Sequence, residues 1–390
     1  MQISQSLNEI KPSYIREILS ATSAPNMISL AGGLPATESL PVQQLIQAMD
    51  SLATAPEVFQ YGETLGYTPL LNYLTERYKV PSDNGVLVCN GSQQALDLIA
   101  RAFLNPGDGV AMEAPSYLGA LQVFGLAQAN IVSVTQRADG PDLNELEAAF
   151  ATQKIKLFYC VPDFHNPTGV CWSLEVRKAV AQLCIQYNVA LLEDVPYREL
   201  RFSGEALPLV SSFCQSNAFV MRSFSKIASP GLRLGMVSAP QEWLQALVKI
   251  KQAADLHTGL PMQAVLLKVL GSNEFVEHLT DLRVNYERRY QVMMQALTPL
   301  LDSSLESHCK CNTVNGGMFV WLQLNQGASD NCKQPMQIAQ ELLKQNVAVV
   351  PGDVFYNQVE NARPALRLNF SHSSLNDLEV AIDRLSKVIA

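Results

Sequence analysis

With 390 residues, 48% hydrophobic and 16% charged, the chain has material for two or three packed domains and is too apolar for an intrinsically disordered protein. Its formal net charge of −8, without any Lys/Arg run, argues against nucleic acid as a partner. Eight cysteines are too sparse for a disulfide scaffold, and the Cys309-x-Cys311 pair offers only two ligands, so the thiols read as reduced and no metal is expected.

The N-terminal segment carries Glu9, Lys11, Arg16 and Glu17 with no apolar signal-peptide core, and no apolar run is long enough to span a bilayer. A cytoplasmic protein with no membrane partner is the expectation. Residues 13–19 form a short amphipathic helix by pattern, with Ser13 as N-cap and Tyr14, Ile15, Ile18 and Leu19 on one side. Val86-Leu87-Val88-Cys89 reads as a strand, and Leu96, Ile99, Ala100 and Phe103 then recur at helical spacing. Further strands are expected at 110–112, 157–161, 189–192, 219–221 and 236–237, with a helix over 174–187. These strands are apolar throughout rather than alternating, as in a mainly parallel sheet covered by helices on both faces. From about residue 280 the character changes. A charged helix over 281–297 is followed by short strands at 316–321, 347–350 and 365–370 and a closing helix, the pattern of a smaller α+β domain.

Open α/β sheets bind ligands beyond the carboxyl ends of their strands. Each predicted strand delivers polar groups to that edge: Gly91-Ser92-Gln93, then Ala114-Pro115-Ser116-Tyr117, His165-Asn166-Pro167-Thr168-Gly169, Asp194-Val195-Pro196-Tyr197 and Ser223-Phe224-Ser225-Lys226. Ser92 and Gln93 open a helix, so either their N–H groups make an anion site or Ser92 is a simple N-cap. The amine of Lys226, with hydroxyls before it and Gly231-Leu232-Arg233 after it, can bond a carbonyl carbon beside a bound anion; standing alone it would read as a surface lysine.

Asn166-Pro167-Thr168-Gly169, Asp194-x-x-Tyr197 and Ser223-x-Ser225-Lys226 with Arg233 following, in that order, resemble the fold-type-I aminotransferases that use pyridoxal 5′-phosphate (PLP). The chain looks most like the group containing 2-aminoadipate and kynurenine aminotransferases. The resemblance runs from Ile28-Ser29-Leu30-Ala31-Gly32-Gly33-Leu34-Pro35 to Leu366-Arg367-Leu368. It implies an α/β fold with a large domain built on a mainly parallel seven-stranded sheet flanked by helices, and a smaller α+β domain. The implied division is 1–40 for an N-terminal arm and lid helix, 41–280 for the PLP-binding domain and 281–390 for the small domain.

The same resemblance assigns roles. Lys226 holds PLP covalently and, once freed, becomes the general base. Asp194 pairs with the pyridine nitrogen, and Asn166 and Tyr197 hydrogen-bond the ring oxygen. Tyr117 stacks on the ring. Ser92, Gln93, Ser223, Ser225 and Arg233 cup the phosphate, joined by Tyr61 from the partner subunit of a homodimer. Arg367 grips the substrate carboxylate beside Gly33 and Asn166, and Arg16 gates the site. The implied reaction moves an amino group between an L-amino acid and a 2-oxo acid in a ping-pong exchange, with glutamate and 2-oxoglutarate as one pair. A β-lyase on the same fold, or a non-catalytic regulator with an aminotransferase-like domain, are the alternatives. Val195 stands where such enzymes often have a second acid, and His165 where others have Gln, departures that bear on substrate preference. His165 is also a candidate pH-sensitive neighbour of the cofactor.

Overall fold

The computed structural model describes Ile3, Ser4, Leu7, Ile18 and residues 26–301, 309–325 and 333–389. The expected helix over 13–19, and Arg16 with it, lie outside the described residues apart from Ile18, which is buried. In chain order the strands are β1 (Ile28–Ser29), β2 (Asn84–Cys89), β3 (Gly109–Ala114), β4 (Asn130–Arg137), β5 (Gly140–Pro141), β6 (Ile155–Cys160), β7 (Ala190–Asp194), β8 (Ala218–Ser223), β9 (Gly235–Pro240), β10 (Cys309–Cys311), β11 (Phe319–Leu324), β12 (Val347–Ala348), β13 (Val350–Pro351) and β14 (Ala365–Asn369).

The main sheet has the order β2-β9-β8-β7-β6-β3-β4-β5. It holds eight strands rather than seven because the two-residue β5 folds back antiparallel on β4. β8, β7, β6, β3 and β4 pair in parallel, and β9 runs against both of its neighbours. β2 therefore points the same way as β8. The apolar runs have a simple cause: alternate residues of one strand feed two different cores. Leu157 and Tyr159 of β6 join one cluster with Leu192, Phe219 and Met221, whereas Phe158 and Cys160 join Leu191, Trp172 and Cys184 in another. Helix Ser92–Phe103 covers the first face with Leu96 and Ile99 buried, and helix Leu174–Gln186, capped by the Ser173 hydroxyl, covers the second with Val180 and Cys184 buried.

A second sheet, β10-β11-β14-β13, is antiparallel throughout. Helix Asn273–Leu301, longer than its charged central stretch suggested, packs with helix Leu375–Ile389 beside it. β1 pairs in parallel with β12, joining Ile28 to Val347 and Ser29 to Ala348. The Asn369 N–H also donates to the Leu30 carbonyl. These bonds hold residues 28–30 against β12 and the carboxyl end of β14, and the Gly33 carbonyl that follows reaches Lys226 at the edge of the main sheet. The seven described cysteines are free thiols. Among the described residues no helix is long and apolar enough to cross a membrane.

Candidate active site

Six strands present their carboxyl ends at one edge, and the reversed β9 begins there, so Arg233 just before it reaches the same edge as Lys226. Residues that end or follow β2, β3, β6, β7 and β8, with Arg233, line a cavity of about 410 Å³. Ser92, Gln93, Tyr117, Asn166, Asp194, Tyr197, Ser223, Ser225, Lys226, Arg233, Gly33 and Arg367 all face it. Tyr61 does not: it is 80% exposed in the single chain, edge-on to the ring of His257 at 6.0 Å.

The Lys226 Nζ sits where the short helix Phe224–Lys226 continues from β8, and it donates to the Gly33 carbonyl at 2.7 Å. Loss of water around the amine, reinforced by the like charges of Arg367 and Arg233, pulls its pKa down to about 8. That value leaves a useful neutral fraction near physiological pH, as a nucleophile and base requires. Asp194 ends β7 and is buried. Desolvation pushes its carboxyl up to about 7, against the hydrogen bond that the Tyr159 hydroxyl donates to Oδ2 at 3.0 Å. Its Oδ1 has no partner among the described residues. A buried carboxylate with one free oxygen suits a cationic ring nitrogen, which would satisfy the charge and the lone pair together.

Asn166 is held on both sides. Its Nδ2 donates to the Tyr197 hydroxyl oxygen at 3.2 Å, and its Oδ1 accepts from Arg367 Nη1 at 2.8 Å. The Tyr197 O–H is thereby left free to donate into the cavity. Arg367, on β14, also donates through Nη2 to the Ala31 carbonyl and stacks between Phe319 at 4.4 Å and Phe355 at 5.0 Å. Burial lowers its pKa to about 10, so it remains a cation at neutral pH. The Tyr117 hydroxyl donates to Gln93 Oε1 at 3.1 Å, and Gln93 Nε2 donates to the Gly119 carbonyl at 3.1 Å, which sets the tyrosine ring along one wall.

The N-cap of helix Ser92–Phe103 is Gly91, not Ser92, with φ +81 and no side-chain cap. The amides of Ser92 and Gln93 have no hydrogen-bond partner among the described residues, and they face the cavity with the helix dipole behind them. Arg233 approaches so closely that a Cβ on Gly91 would lie 3.1 Å from its Nη2. Free amides, a guanidinium and the hydroxyls of Ser223 and Ser225 make a donor set that could hold a phosphate.

Two residues escaped sequence reasoning. Tyr159 sits inside an apolar strand, and only the strand's position beside β7 reveals that its hydroxyl reaches Asp194. Glu113, at the end of β3, is buried with Oε1 accepting from Gln136 at 2.9 Å and Trp172 at 3.1 Å. Its Oε2 lies 3.8 Å from Nε2 of His165. His165 is buried and does not line the cavity; it faces the Thr168 hydroxyl at 2.9 Å and braces the turn that presents Asn166.

Against known proteins, the family model described as aminotransferase class I and II matches residues 25–385. An aromatic-amino-acid aminotransferase of Thermococcus litoralis is 33% identical over 97% of this chain and 92% of its own length. A 2-aminoadipate transaminase of Thermus thermophilus is 36% identical over 97% and 94%. A Pyrococcus horikoshii kynurenine aminotransferase solved with PMP superposes with a TM-score of 0.91 at 32% identity, covering 99% of this chain and 96% of that one.

Proposed function

We propose that this chain, which belongs to the PLP-dependent class I and II aminotransferases, transfers an amino group from an aromatic or 2-aminoadipate-like amino acid to 2-oxoglutarate, with glutamate as the product, in a ping-pong exchange. The observation that carries this reading is the convergence of Lys226, Asp194 and Arg367 on one cavity.

The donor set fits PLP. The free Ser92 and Gln93 amides, Ser223, Ser225 and Arg233 would hold its phosphate, Asp194 its ring nitrogen, Asn166 and Tyr197 its ring oxygen, Tyr117 its face, and Lys226 its carbonyl carbon. When bound, PLP supplies an electron sink for the substrate α-carbon. Asp194, backed by Tyr159, holds a proton at the ring nitrogen. The Tyr197 hydroxyl, with Asn166 behind it, donates to the ring oxygen. Arg367 forks onto the substrate α-carboxylate, and its Asn166 contact fixes that fork relative to the ring. With its amine freed, Lys226 would accept the α-proton at Nζ, the role that a pKa lowered by desolvation suits. Gly33, without a side chain, lets substrate pass close to the backbone; a Cβ there would meet Phe319 at 3.1 Å.

The working unit is a cytoplasmic homodimer divided internally at about residues 40 and 280, with Tyr61 crossing to the partner's phosphate cup. Support comes from the low charge content and from Phe59, Tyr61 and Leu256, which expose 66%, 80% and 56% of their surface in the single chain. The test incubates PLP-loaded protein with a panel of amino donors and 2-oxoglutarate and measures glutamate. Glutamate should form with an aromatic amino acid or 2-aminoadipate, and Lys226→Ala should abolish it. Loaded protein that transfers nothing from any donor would overturn the assignment.

A further inference from the structure

Successive residues of a strand face opposite sides of the sheet. Ser223 faces the active-site cavity; Arg222, just before it, turns away. Its side chain is 8% exposed and lies over the ring of Tyr78 at 4.1 Å, and among the described residues it makes no hydrogen bond or ion pair. It opens into a cleft of about 650 Å³, lined also by Arg77, Lys79, Arg198, Arg201 and Arg283. A smaller hollow of about 90 Å³ continues behind it, with Ser211, Ser212 and Ser238 on its walls.

The acids nearby are already engaged. Glu199, the carboxylate among the cleft's lining residues, accepts from Arg77 Nη2 and from the Tyr78 hydroxyl, both at 2.9 Å. Asp163 is held by Arg177 at 2.8 Å and Arg198 at 2.7 Å, with Arg201 at 3.5 Å. Arg283 donates Nε to the Glu199 carbonyl oxygen at 2.8 Å and, among the described residues, meets no carboxylate within ion-pair distance. Lys79 is exposed and has no partner among the described residues. Among the described residues, then, three cations face one cleft with no ion pair of their own, in a chain whose net charge is −8. Leaving a buried guanidinium without an ion pair is costly, and burial, reinforced by Arg198, draws the pKa of Arg222 below its ordinary value, with Tyr78, Glu199 and Glu193 opposing the shift; Glu193 itself is held by the Val210 and Ser211 amides at 2.8 and 2.9 Å.

We infer that this cleft is a binding site for an oxyanion of two or more negative charges, a phosphate ester or a polycarboxylate, gripped by Arg222 with Lys79 and Arg283 at its mouth. Guanidinium forks match the oxygen spacing of both groups. The site is separate from the phosphate cup: Arg222 and Arg233 line different cavities. It stands independently of the transamination reading.

Calorimetric titration of the PLP-loaded protein, whose cup is filled, tests the inference with inorganic pyrophosphate and citrate as probes at physiological salt. Saturable binding near one site per chain is expected with at least one probe. The tighter probe tells phosphate chemistry from carboxylate chemistry. Arg222→Gln should weaken binding at least about tenfold, as loss of a charge-assisted contact does. Lys79→Ser, at an exposed position, should weaken it less, and both variants should keep their PLP content and basal amino transfer. If Arg222→Gln does not fold, Lys79→Ser combined with Arg283→Gln decides. No saturable binding of either probe, or binding that the substitutions leave unchanged, overturns the site.

Discussion

Replacing Lys226 by Met should end amino transfer and yet stabilise the PLP-free protein. Desolvation, followed by Arg367 and Arg233, draws the amine from its ordinary 10.5 to about 8. The unfolded chain therefore holds this proton more tightly than the folded one. Below about pH 8 both states are protonated, and the whole cost of placing the cation in the site is present. The cost fades as pH rises from about 8 to 10.5, where the unfolded chain also loses its proton. The gap between the two values corresponds to about 3.4 kcal/mol at most. Lys226 is half-buried, open to the cavity, so water there screens part of the cost, and Met forfeits the bond to the Gly33 carbonyl. A net gain of about 1–2 kcal/mol near neutral pH remains. Urea unfolding of the PLP-free wild type and Lys226→Met from about pH 7 to 10.5 measures it. The variant should be the more stable at the low end, and its advantage should vanish at the high end. A variant that is less stable near neutrality, or whose advantage ignores pH, would refute the claim that the site stores the cost of a desolvated amine.

Asp194→Asn should lower the half-reaction rate by roughly 10²–10³-fold, because the amide cannot hold a proton on the ring nitrogen; rapid-mixing absorbance of the loaded enzyme reads it, and a near-wild-type rate would assign that charge to another group. Gly91→Ala places a methyl 3.1 Å from Arg233 Nη2 at φ +81, so PLP affinity should fall about tenfold or more in fluorescence titrations, alongside a stability loss of about 1–3 kcal/mol. Gly107→Ala, at φ +86 with open space around it, should show backbone strain alone and leave PLP affinity intact. Tyr61→Ala chains co-expressed with Lys226→Ala chains should yield hybrid dimers with one site free of both lesions, and hence more activity than the two parents together; no gain would place Tyr61 outside its partner's site.

The residues most legible in the sequence are those that follow a buried strand. Asp194, Lys226 and Asn166 could be found because parallel strands deliver whatever comes after them to one edge. β4, at Asn130–Arg137, was not found: it lies near the sheet margin, its residues are mostly half-buried or exposed, and its mixed pattern gives no apolar run. Tyr159 was hidden for the opposite reason, since a tyrosine inside a buried strand looks like packing. Arg367 and Gly33 depend on contacts between distant parts of the chain, and neither periodicity nor spacing encodes those; motif resemblance alone reached them. The burial of His165 was not legible because the carboxylate that faces it, Glu113, lies on a strand more than fifty residues earlier.

The pairing of β1 with β12 also bears on how the protein comes to be made. Arg367 and Ala31 are 336 residues apart, and Lys226 and Gly33 are 193 apart, yet both pairs are direct hydrogen bonds. A chain emerging from the ribosome has Lys226, Asp194 and the phosphate cup long before it has β12 and β14. The side of the cavity that Arg367 lines arrives last. Contacts of such sequence separation are slow to form and close only after the long loop between them has been ordered. The cavity is thus closed only once the last strands have come back to β1 and the residues that follow it.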